Sequence, residues 1–259
     1  MNVGLIGCGN MARAMARGWG RRVLCFDPIS ERAEALVGEL GGEALASNAE
    51  VAARADLVVL CHKPAQLEAI AKEVAPTATA VASILAATPL SALKNAYPGL
   101  PVYRFLPSLP VEVRRGAVVQ AVETEPEETL GRGDTLDAQV RELFAELGTL
   151  VTVDDSLVDV AMGLMSCAPA YVALVAEAQV DAGVRRGIPP ARAAVLVTET
   201  LAGTAELLRK RDHDTLAVRR EVASPGGATA RGLDALERGG VRAAFSDALD
   251  AVLGRGPGQ

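Results

Sequence analysis

The chain has 259 residues, half of them hydrophobic and eight of them aromatic, and its 26 basic and 32 acidic side chains give a net charge of −6. This composition excludes a disordered protein, which has few apolar residues, and a dedicated nucleic-acid-binding protein, which needs a basic surface. An anionic membrane is an equally poor partner for an acidic chain. The length allows one large domain or two ordinary ones, and we expect two.

The cysteines and the long apolar stretches indicate in which cellular compartment the protein works. The cysteines form no CxxC pair and the chain has only two histidines, so we expect neither a metal site nor a disulfide framework. The amino terminus lacks the basic segment of a signal peptide. The uncharged stretches 74–93 and 160–176 contain Pro, Gly and Ser and are expected to be protein core rather than membrane spans. These features predict a cytoplasmic protein. The cysteines are Cys8, Cys25, Cys61 and Cys167.

The first half alternates short apolar runs with alanine-rich segments of helical spacing. This alternation predicts an α/β fold with a doubly wound, mainly parallel sheet of the Rossmann type, its faces covered by helices. The predicted strands are Val3–Ile6, Val23–Phe26, Leu57–Leu60, Val81–Leu85, Val102–Phe105 and Ala117–Ala121. The predicted helices between them are Met11–Gly18, Glu31–Leu40, Glu50–Arg54 and Gln66–Val74.

The pattern changes after the acidic segment Glu123–Asp137, which we interpret as a loop before a helix at Ala138–Leu147 and a last strand at Val151–Val153. Beyond Asp154 nearly every segment has helical spacing, so we place a Rossmann domain at 1–155 and an all-helical domain at 156–259. The predicted helices there are Leu157–Met165, Tyr171–Arg186, Pro190–Arg211, Thr215–Val222, Thr229–Arg238 and Val241–Leu253. This domain is rich in Ala and Gly, and we expect it to complete its core against a partner chain.

The first predicted strand leads directly into Gly7–Ala12, whose sequence GCGNMA has the pattern GxGxxA. Gly7 permits a tight turn, Gly9 allows the backbone to approach a pyrophosphate, and Ala12 allows helix and strand to pack closely. The phosphate charge then meets the amino terminus of a helix. A strand before, a helix after and an acidic residue at the end of the second strand satisfy the context that this motif requires.

That acidic residue is Asp27. Its carboxylate is placed to accept hydrogen bonds from a ribose hydroxyl and to repel a 2′-phosphate, which favours NADH over NADPH. Two alternatives remain open at this stage. In the first, Asp27 has a structural role: it opens the Asp27-Pro28 turn or caps the following helix. In the second, Ser30 and Arg32 lie near enough to bind a 2′-phosphate.

Segments from both ends of the chain resemble the pyrroline-5-carboxylate reductase family. Gly7–Ala12 is similar to the family's opening motif, Asn48 to its nucleotide-contacting asparagine, and Lys63-Pro64 to its Lys-Pro pair. The segment Pro169–Gly183 resembles the family's interface helix. The most specific match is Ser224–Thr229, with the sequence SPGGAT. Because the matches occur in the right order, the resemblance covers nearly the whole chain.

The resemblance implies a Rossmann domain followed by a helical dimerisation domain that forms homodimers or larger assemblies. It implies an NAD(P)H-dependent oxidoreductase that reduces a cyclic imine to L-proline, the last step of proline biosynthesis. The candidate cofactor-binding residues are Gly7, Gly9, Asn10, Met11, Ala12, Asp27, Asn48, Lys63 and Pro64. The candidate substrate-binding residues are Ser224, Gly226, Gly227, Ala228 and Thr229, and Thr229 is also the candidate catalytic residue.

The residues themselves favour the same chemistry. Ser224–Thr229 is a Pro- and Gly-containing turn that leads into a helix, so its outward N–H groups suit a small carboxylate. Thr229 then points its hydroxyl at the ring nitrogen, and a protonated imine needs mainly orientation and charge stabilisation. The alternative is an ordinary helix cap at Ser224 or Thr229. We assign Lys63 to positioning rather than proton transfer, and Tyr171 and His62 to packing.

Three segments depart from the family's pattern. Leu106–Pro110 replaces Met-Pro-Asn-Thr-Pro, Met165–Ala168 replaces a Ser/Gly-rich segment, and Ala86-Ala87 replaces Ala-Gly. Each change makes the region more apolar or bulkier. Two other functions therefore stay open: a related reductase of another small imine or keto acid, and a non-catalytic dinucleotide-binding regulatory protein of the same fold.

Overall fold

A computed structural model describes residues 1–123 and 135–254, which form two compact units, Met1–Pro169 and Ala170–Gln259. The first unit contains an eight-stranded sheet of order β3-β2-β1-β4-β5-β6-β7-β8. The predicted mainly parallel Rossmann-type sheet is thereby confirmed. The strands are β1 Val3–Ile6, β2 Val23–Phe26, β3 Gly42–Ala44, β4 Leu57–Leu60, β5 Val81–Ser83, β6 Val102–Pro107, β7 Gly116–Val122 and β8 Gly148–Asp154.

The helices of the first unit are α1 Asn10–Trp19, α2 Ser30–Leu40, α3 Asn48–Arg54, α4 Leu67–Val74, α5 Leu90–Ala96, α6 Leu136–Ala145 and α7 Val158–Ala161. Short 3₁₀ turns lie at Pro64–Gln66, Leu109–Val113 and Asp155–Leu157, and Met162–Ser166 is π-helical. Helix α8, Ala168–Val184, begins at the end of this unit. The other helices of the second unit are α9 Pro190–Lys210, α10 Thr215–Val222, α11 Ala228–Arg238 and α12 Val241–Val252.

Strand β7 reverses the direction of the sheet. It pairs antiparallel with β6, and β8 then pairs parallel with β7. A parallel return requires a crossover of about a dozen residues or more, and only residues 108–115 separate β6 from β7. The short connection therefore explains the reversal, which the apolar pattern of the strands alone did not indicate.

Both faces of the sheet are covered by buried apolar residues. On one face Phe105 stacks on Phe144 with ring centroids 3.8 Å apart, and Trp19 meets Phe144 edge-on. Helix α1 packs closely there because Gly18 lacks a side chain: a Cβ at Gly18 would lie 2.1 Å from the Val111 carbonyl oxygen. The other face buries a second cluster under α3, α4 and α5, with Tyr97 fully covered.

Two elements were missing from the sequence prediction. Strand β3 has the sequence Gly-Glu-Ala, which lacks the β-branched and aromatic residues that mark strands, and it exists through main-chain pairing with β2. Helix α5 begins at Leu90, within the stretch 74–93 that we had interpreted only as uncharged core, and ends at Ala96. Residues 124–134 of the predicted loop Glu123–Asp137 lie outside the described residues.

The second unit leaves most of its apolar side chains exposed. Among its described residues, only Ala193 and Val218 are buried. Within this chain Gly163 is the one buried residue of 160–176, and most of the others are half-buried. One helical stretch of the described residues, Asp155–Val184, has the length and mean hydropathy (1.7) of a membrane span. The predicted domain boundary after residue 155 stays a prediction.

Candidate cofactor and substrate sites

The turn after β1 is built on a glycine that no other residue replaces easily. Gly7 has φ +93°, and a Cβ there would lie 2.9 Å from the Cys61 carbonyl oxygen. The Gly7 amide donates to the Phe26 carbonyl oxygen at 2.8 Å. The turn is therefore held against the ends of both neighbouring strands, β2 and β4, as the sequence predicted for a tight turn.

The next residues leave room for a ligand. A Cβ on Gly9 would meet nothing within 4 Å, and Gly9 is the N-cap of α1 without a side chain that caps the helix. The first turn of α1 contains no acidic residue, and Ala12 is buried against the sheet. Free amides at an uncapped helix start bind phosphate, so this cradle fits the pyrophosphate of a dinucleotide.

Asp27 follows β2 and is only 6% exposed. One carboxylate oxygen accepts the Cys8 amide at 2.8 Å, and the other accepts the Ile29 amide at 2.9 Å. The second bond is the turn-opening role that the sequence left open as an alternative for Asp27. A carboxylate oxygen has two lone pairs, so these bonds do not prevent a ribose hydroxyl from binding as well.

Asn48 is the first residue of α3, after β3. It is 7% exposed, its amide nitrogen donates to Glu73 at 3.0 Å, and its side-chain oxygen is buried without a hydrogen-bond partner. An unpartnered buried oxygen is costly, and ligand binding relieves that cost if the ligand brings a donor. Asn48 therefore stays a candidate contact for the nucleotide.

Lys63 and Pro64 follow β4, and both are exposed. Pro64 begins the 3₁₀ turn Pro64–Gln66, and the Gln66 side chain accepts the Lys63 amide at 3.3 Å. The turn holds the Lys63 backbone while its ammonium group stays in solvent. This geometry fits a positioning role better than proton transfer, which requires a group held within hydrogen-bond distance of the reacting atoms.

His62 is more constrained than the packing role we assigned. Its Nδ1 lies 2.9 Å from the Lys63 carbonyl oxygen, so Nδ1 carries the proton, and Nε2 is buried without a partner. Burial lowers the pKa of His62 from its usual value, so the ring is neutral at pH 7. No pattern in the sequence distinguished this histidine from an ordinary core residue.

The four strand ends arrange these residues along one edge of the sheet. Because β3, β2, β1 and β4 are parallel neighbours, Asn48, Asp27, Gly7–Ala12 and Lys63 follow their ends in that order. The strand order reverses direction at β1, and dinucleotides bind at such switch points. The structure thus brings the predicted cofactor-binding residues of the first unit to one edge.

The second unit contains the predicted substrate turn. The Gly227 amide donates to the Ser224 carbonyl oxygen at 3.0 Å, and Gly226 has φ +68°, the conformation that favours glycine at the third position of a type II turn. Helix α11 then starts with Gly227 as N-cap and without a capping side chain. The ordinary cap at Ser224 or Thr229 is therefore not formed.

The turn is open to a ligand. Ser224, Ala228 and Thr229 are exposed, and the first turn of α11 contains no acidic side chain. The Arg231 guanidinium donates to the Gly226 carbonyl oxygen at 2.8 Å and so stabilises the turn. Uncapped amides at the start of an eleven-residue helix suit a carboxylate.

Comparisons with known proteins agree with this geometry. A family model described as pyrroline-5-carboxylate reductase dimerisation matches residues 155–257, and one described as NADP oxidoreductase, coenzyme F420-dependent, matches residues 2–87. Pyrroline-5-carboxylate reductase from Thermus thermophilus is 35% identical over 263 residues, 99% of this chain and 97% of that protein. The chain belongs to the pyrroline-5-carboxylate reductase family.

Other relatives extend the comparison. Pyrroline-5-carboxylate reductase 3 from Macaca fascicularis is 34% identical, over 98% of this chain and 94% of that protein. Among solved structures, 1-pyrroline-5-carboxylate reductase from Streptococcus pyogenes superimposes with a TM-score of 0.84 at 28% identity, over 97% of this chain and 96% of that one. Plasmodium falciparum pyrroline carboxylate reductase with NADP bound shares the fold, with a TM-score of 0.82 at 23% identity.

The departures from the pattern of the pyrroline-5-carboxylate reductase family have structural roles here. Ser108 is 3% exposed, and its hydroxyl both donates to the Ala117 carbonyl oxygen and accepts the Ala117 amide, at 3.0 and 2.9 Å. It therefore closes the β6–β7 pairing. The Ser166 hydroxyl lies 3.4 Å from the Pro107 carbonyl oxygen, at the end of the π-helical segment. Both polar groups are used within the fold.

Proposed function

We propose that this protein reduces the C=N bond of pyrroline-5-carboxylate to give proline, using a reduced nicotinamide cofactor. The observation that carries the proposal is the pair of uncapped helix starts, α1 behind Gly7–Gly9 and α11 behind Ser224–Gly227, within a chain that matches the family over nearly its whole length. The first suits the pyrophosphate of the cofactor and the second suits the carboxylate of the substrate.

The residues of the second unit bind and orient the imine. The amides at the start of α11 hold the substrate carboxylate, while Thr229, exposed one residue into that helix, directs its hydroxyl at the ring nitrogen. The bound nicotinamide supplies the hydride that the carbon accepts. A protonated imine is already electrophilic, so the protein's contribution is orientation and charge stabilisation. Thr229 is the residue we propose as catalytic.

We further propose a preference for NADH over NADPH. The buried carboxylate of Asp27 follows β2, and Glu31 lies in the first turn of α2, so two carboxylates lie in the segment after β2 where a 2′-phosphate would bind. Ser30 and Arg32, both exposed, favour the opposite preference. Because Asp27 and Glu31 together carry two negative charges and Arg32 carries one positive charge, we expect the net charge to disfavour a 2′-phosphate.

The test is the rate at which the purified protein oxidises NADH and NADPH with pyrroline-5-carboxylate as acceptor. We expect substrate-dependent turnover with both cofactors and a higher kcat/KM with NADH. Thr229→Ala should lower kcat by about a hundredfold, on the order of one removed transition-state donor, with the cofactor Kd unchanged. Thr229→Ser keeps the hydroxyl and serves as the matched control.

Three results would count against the proposal or against the role of Thr229 in it. Turnover on another cyclic imine or a 2-keto acid, with none on pyrroline-5-carboxylate, would indicate a related reductase, as the changes at Ser108, Leu109 and Met165–Ala168 suggested in the sequence. Cofactor binding without turnover on any acceptor would indicate a regulatory protein of the same fold. Unchanged kinetics in Thr229→Ala would remove that residue from the reaction.

A further inference from the structure

We propose that Asp27 is a positioning residue for the phosphate-binding turn, which it holds through the amide of Cys8. The inference rests on the nucleotide site of the proposed function. It adds a role that does not involve the ribose: Asp27 fixes the conformation of Gly7–Gly9, so that the amides of α1 point at the pyrophosphate.

The contacts of Asp27 carry this inference. Its carboxylate is 6% exposed and bridges two main-chain amides, one on the glycine turn and one on its own loop. The amide on the turn belongs to Cys8, which lies between the two glycines of the motif. The Gly7 amide also donates to the Phe26 carbonyl oxygen. The end of β2 and the residue after it therefore hold two successive amides of the turn, those of Gly7 and Cys8.

A flexible turn needs such a restraint. Gly7 and Gly9 allow more backbone conformations than other residues, and binding a phosphate would require that freedom to be lost. A hydrogen bond from an amide to a buried carboxylate is charge-assisted and therefore strong. The turn is fixed before the ligand arrives, which reduces the entropic cost of binding.

The sign of the charge makes the inference testable. A carboxylate near a pyrophosphate repels it, so neutralising Asp27 should tighten phosphate binding if charge is all that matters. Loss of the hydrogen bond that restrains the Cys8 amide should instead weaken phosphate binding. An affinity that falls when a negative charge is removed therefore identifies positioning.

The experiment measures the Kd of ADP and of 2′,3′-dideoxy-ADP by titration calorimetry. Dideoxy-ADP retains the pyrophosphate but offers no ribose hydroxyl to Asp27. Asp27→Asn keeps the shape of the side chain but replaces one acceptor oxygen with an NH₂ group. We expect it to weaken both ligands about tenfold, the effect of about one hydrogen bond to a charged group. Asp27→Ala, which loses both bonds, should weaken dideoxy-ADP further.

Asp56→Asn is the matched control. Asp56 also accepts a main-chain amide, that of Asn2 at 2.6 Å, but it precedes β4 and so lies at the opposite edge of the sheet. We expect it to leave both Kd values unchanged. Thermal unfolding without ligand, followed through Trp19 in the first unit, shows whether each variant is folded.

The outcomes separate this inference from the proposed function. Unchanged or tighter dideoxy-ADP binding in folded Asp27→Asn would overturn it, even if ADP binds more weakly, because Asp27 would then act on the ribose or by charge alone. An equal loss in Asp56→Asn would overturn it as well. If the unmodified protein binds NADH and turns over, the proposed function stands whatever Asp27 does; if it binds no nucleotide, both fail.

Discussion

The two units of this chain bury their apolar residues in opposite ways. The first unit encloses large side chains on both faces of its sheet, whereas of the described residues in the second only Ala193 and Val218 are buried. Yet the second unit contains a helix, α8, that is rich in apolar residues. Leu174 on this helix is 64% exposed. Exposed apolar side chains grouped on one element are typical of interfaces, so we infer that the second unit completes its core against a partner chain.

The candidate sites differ in the same way. The turn of the first unit is fixed by the ends of two strands and by the buried Asp27, while the turn at Ser224–Gly227 is exposed and is held by its own hydrogen bonds and Arg231. The family model that covers residues 155–257 describes dimerisation, so the second unit is a dimerisation domain. The contrast between a self-contained and an open unit leads to four predictions.

The largest effect is expected at the buried ion pair of the first unit. Arg104, with a side chain 4% exposed, lies 2.7 Å from Asp155, whose other oxygen accepts the Leu90 amide. Arg104→Met should cost about 3 kcal/mol, because it leaves the largely buried Asp155 carboxylate without its counter-charge. Urea unfolding followed by Trp19 fluorescence measures the loss.

The matched pair in the second unit is Arg238 and Asp234, 2.9 Å apart and both exposed. Arg238→Met should cause no measurable change, because water screens the pair. Equal losses in the two variants would contradict the contrast between the units.

A methyl group at Gly18 should destabilise the first unit by about 3 kcal/mol, since overpacking has that cost and the clash is with main chain. The Cβ would lie 2.1 Å from the Val111 carbonyl oxygen and 2.8 Å from Leu147. Gly38→Ala, on helix α2 with nothing within 4 Å, is the control and should be neutral or stabilising by about 1 kcal/mol. A mild Gly18→Ala phenotype would mean that α1 packs loosely.

Leu174→Glu should weaken self-association about a hundredfold, the size expected for a charge in a buried interface, while the first unit unfolds as before. Light scattering across a dilution series checks the mass. Val113→Glu is the control, because Val113 is 68% exposed but lies in the first unit. An unchanged dimer in Leu174→Glu would place the interface elsewhere on the second unit.

The smallest effect is expected at Ser108. Removing its hydroxyl breaks two bonds to Ala117, and Ser108→Ala should cost about 1–2 kcal/mol. Thr200→Ala removes a hydroxyl that donates to the Leu196 carbonyl oxygen at 2.7 Å on an exposed helix, and should leave stability unchanged. If Ser108→Ala changed the substrate KM without changing stability, Ser108 would face the substrate instead of the sheet.

Much of the candidate cofactor site was predictable because it is local in sequence. Gly7, Gly9 and Ala12 occupy a motif whose geometry depends on neighbours along the chain, and the structure places them as expected. The bond from the Cys8 amide to Asp27 was not predictable, since it joins the loops that follow two different strands. The burial of the His62 Nε2 atom without a partner also depends on the tertiary packing around it.

The sequence by itself determined the strands of the first unit, the glycine turn, the helical character of the second unit and the family. These depend on periodicity and short motifs, which act over a few residues. Tertiary structure alone decided that Gly-Glu-Ala forms a strand, that Ser108 is used in strand pairing and that residues 160–176 are only partly buried within the chain. Each of these depends on which segments meet in the folded chain, and hydrophobic patterning does not encode the partner.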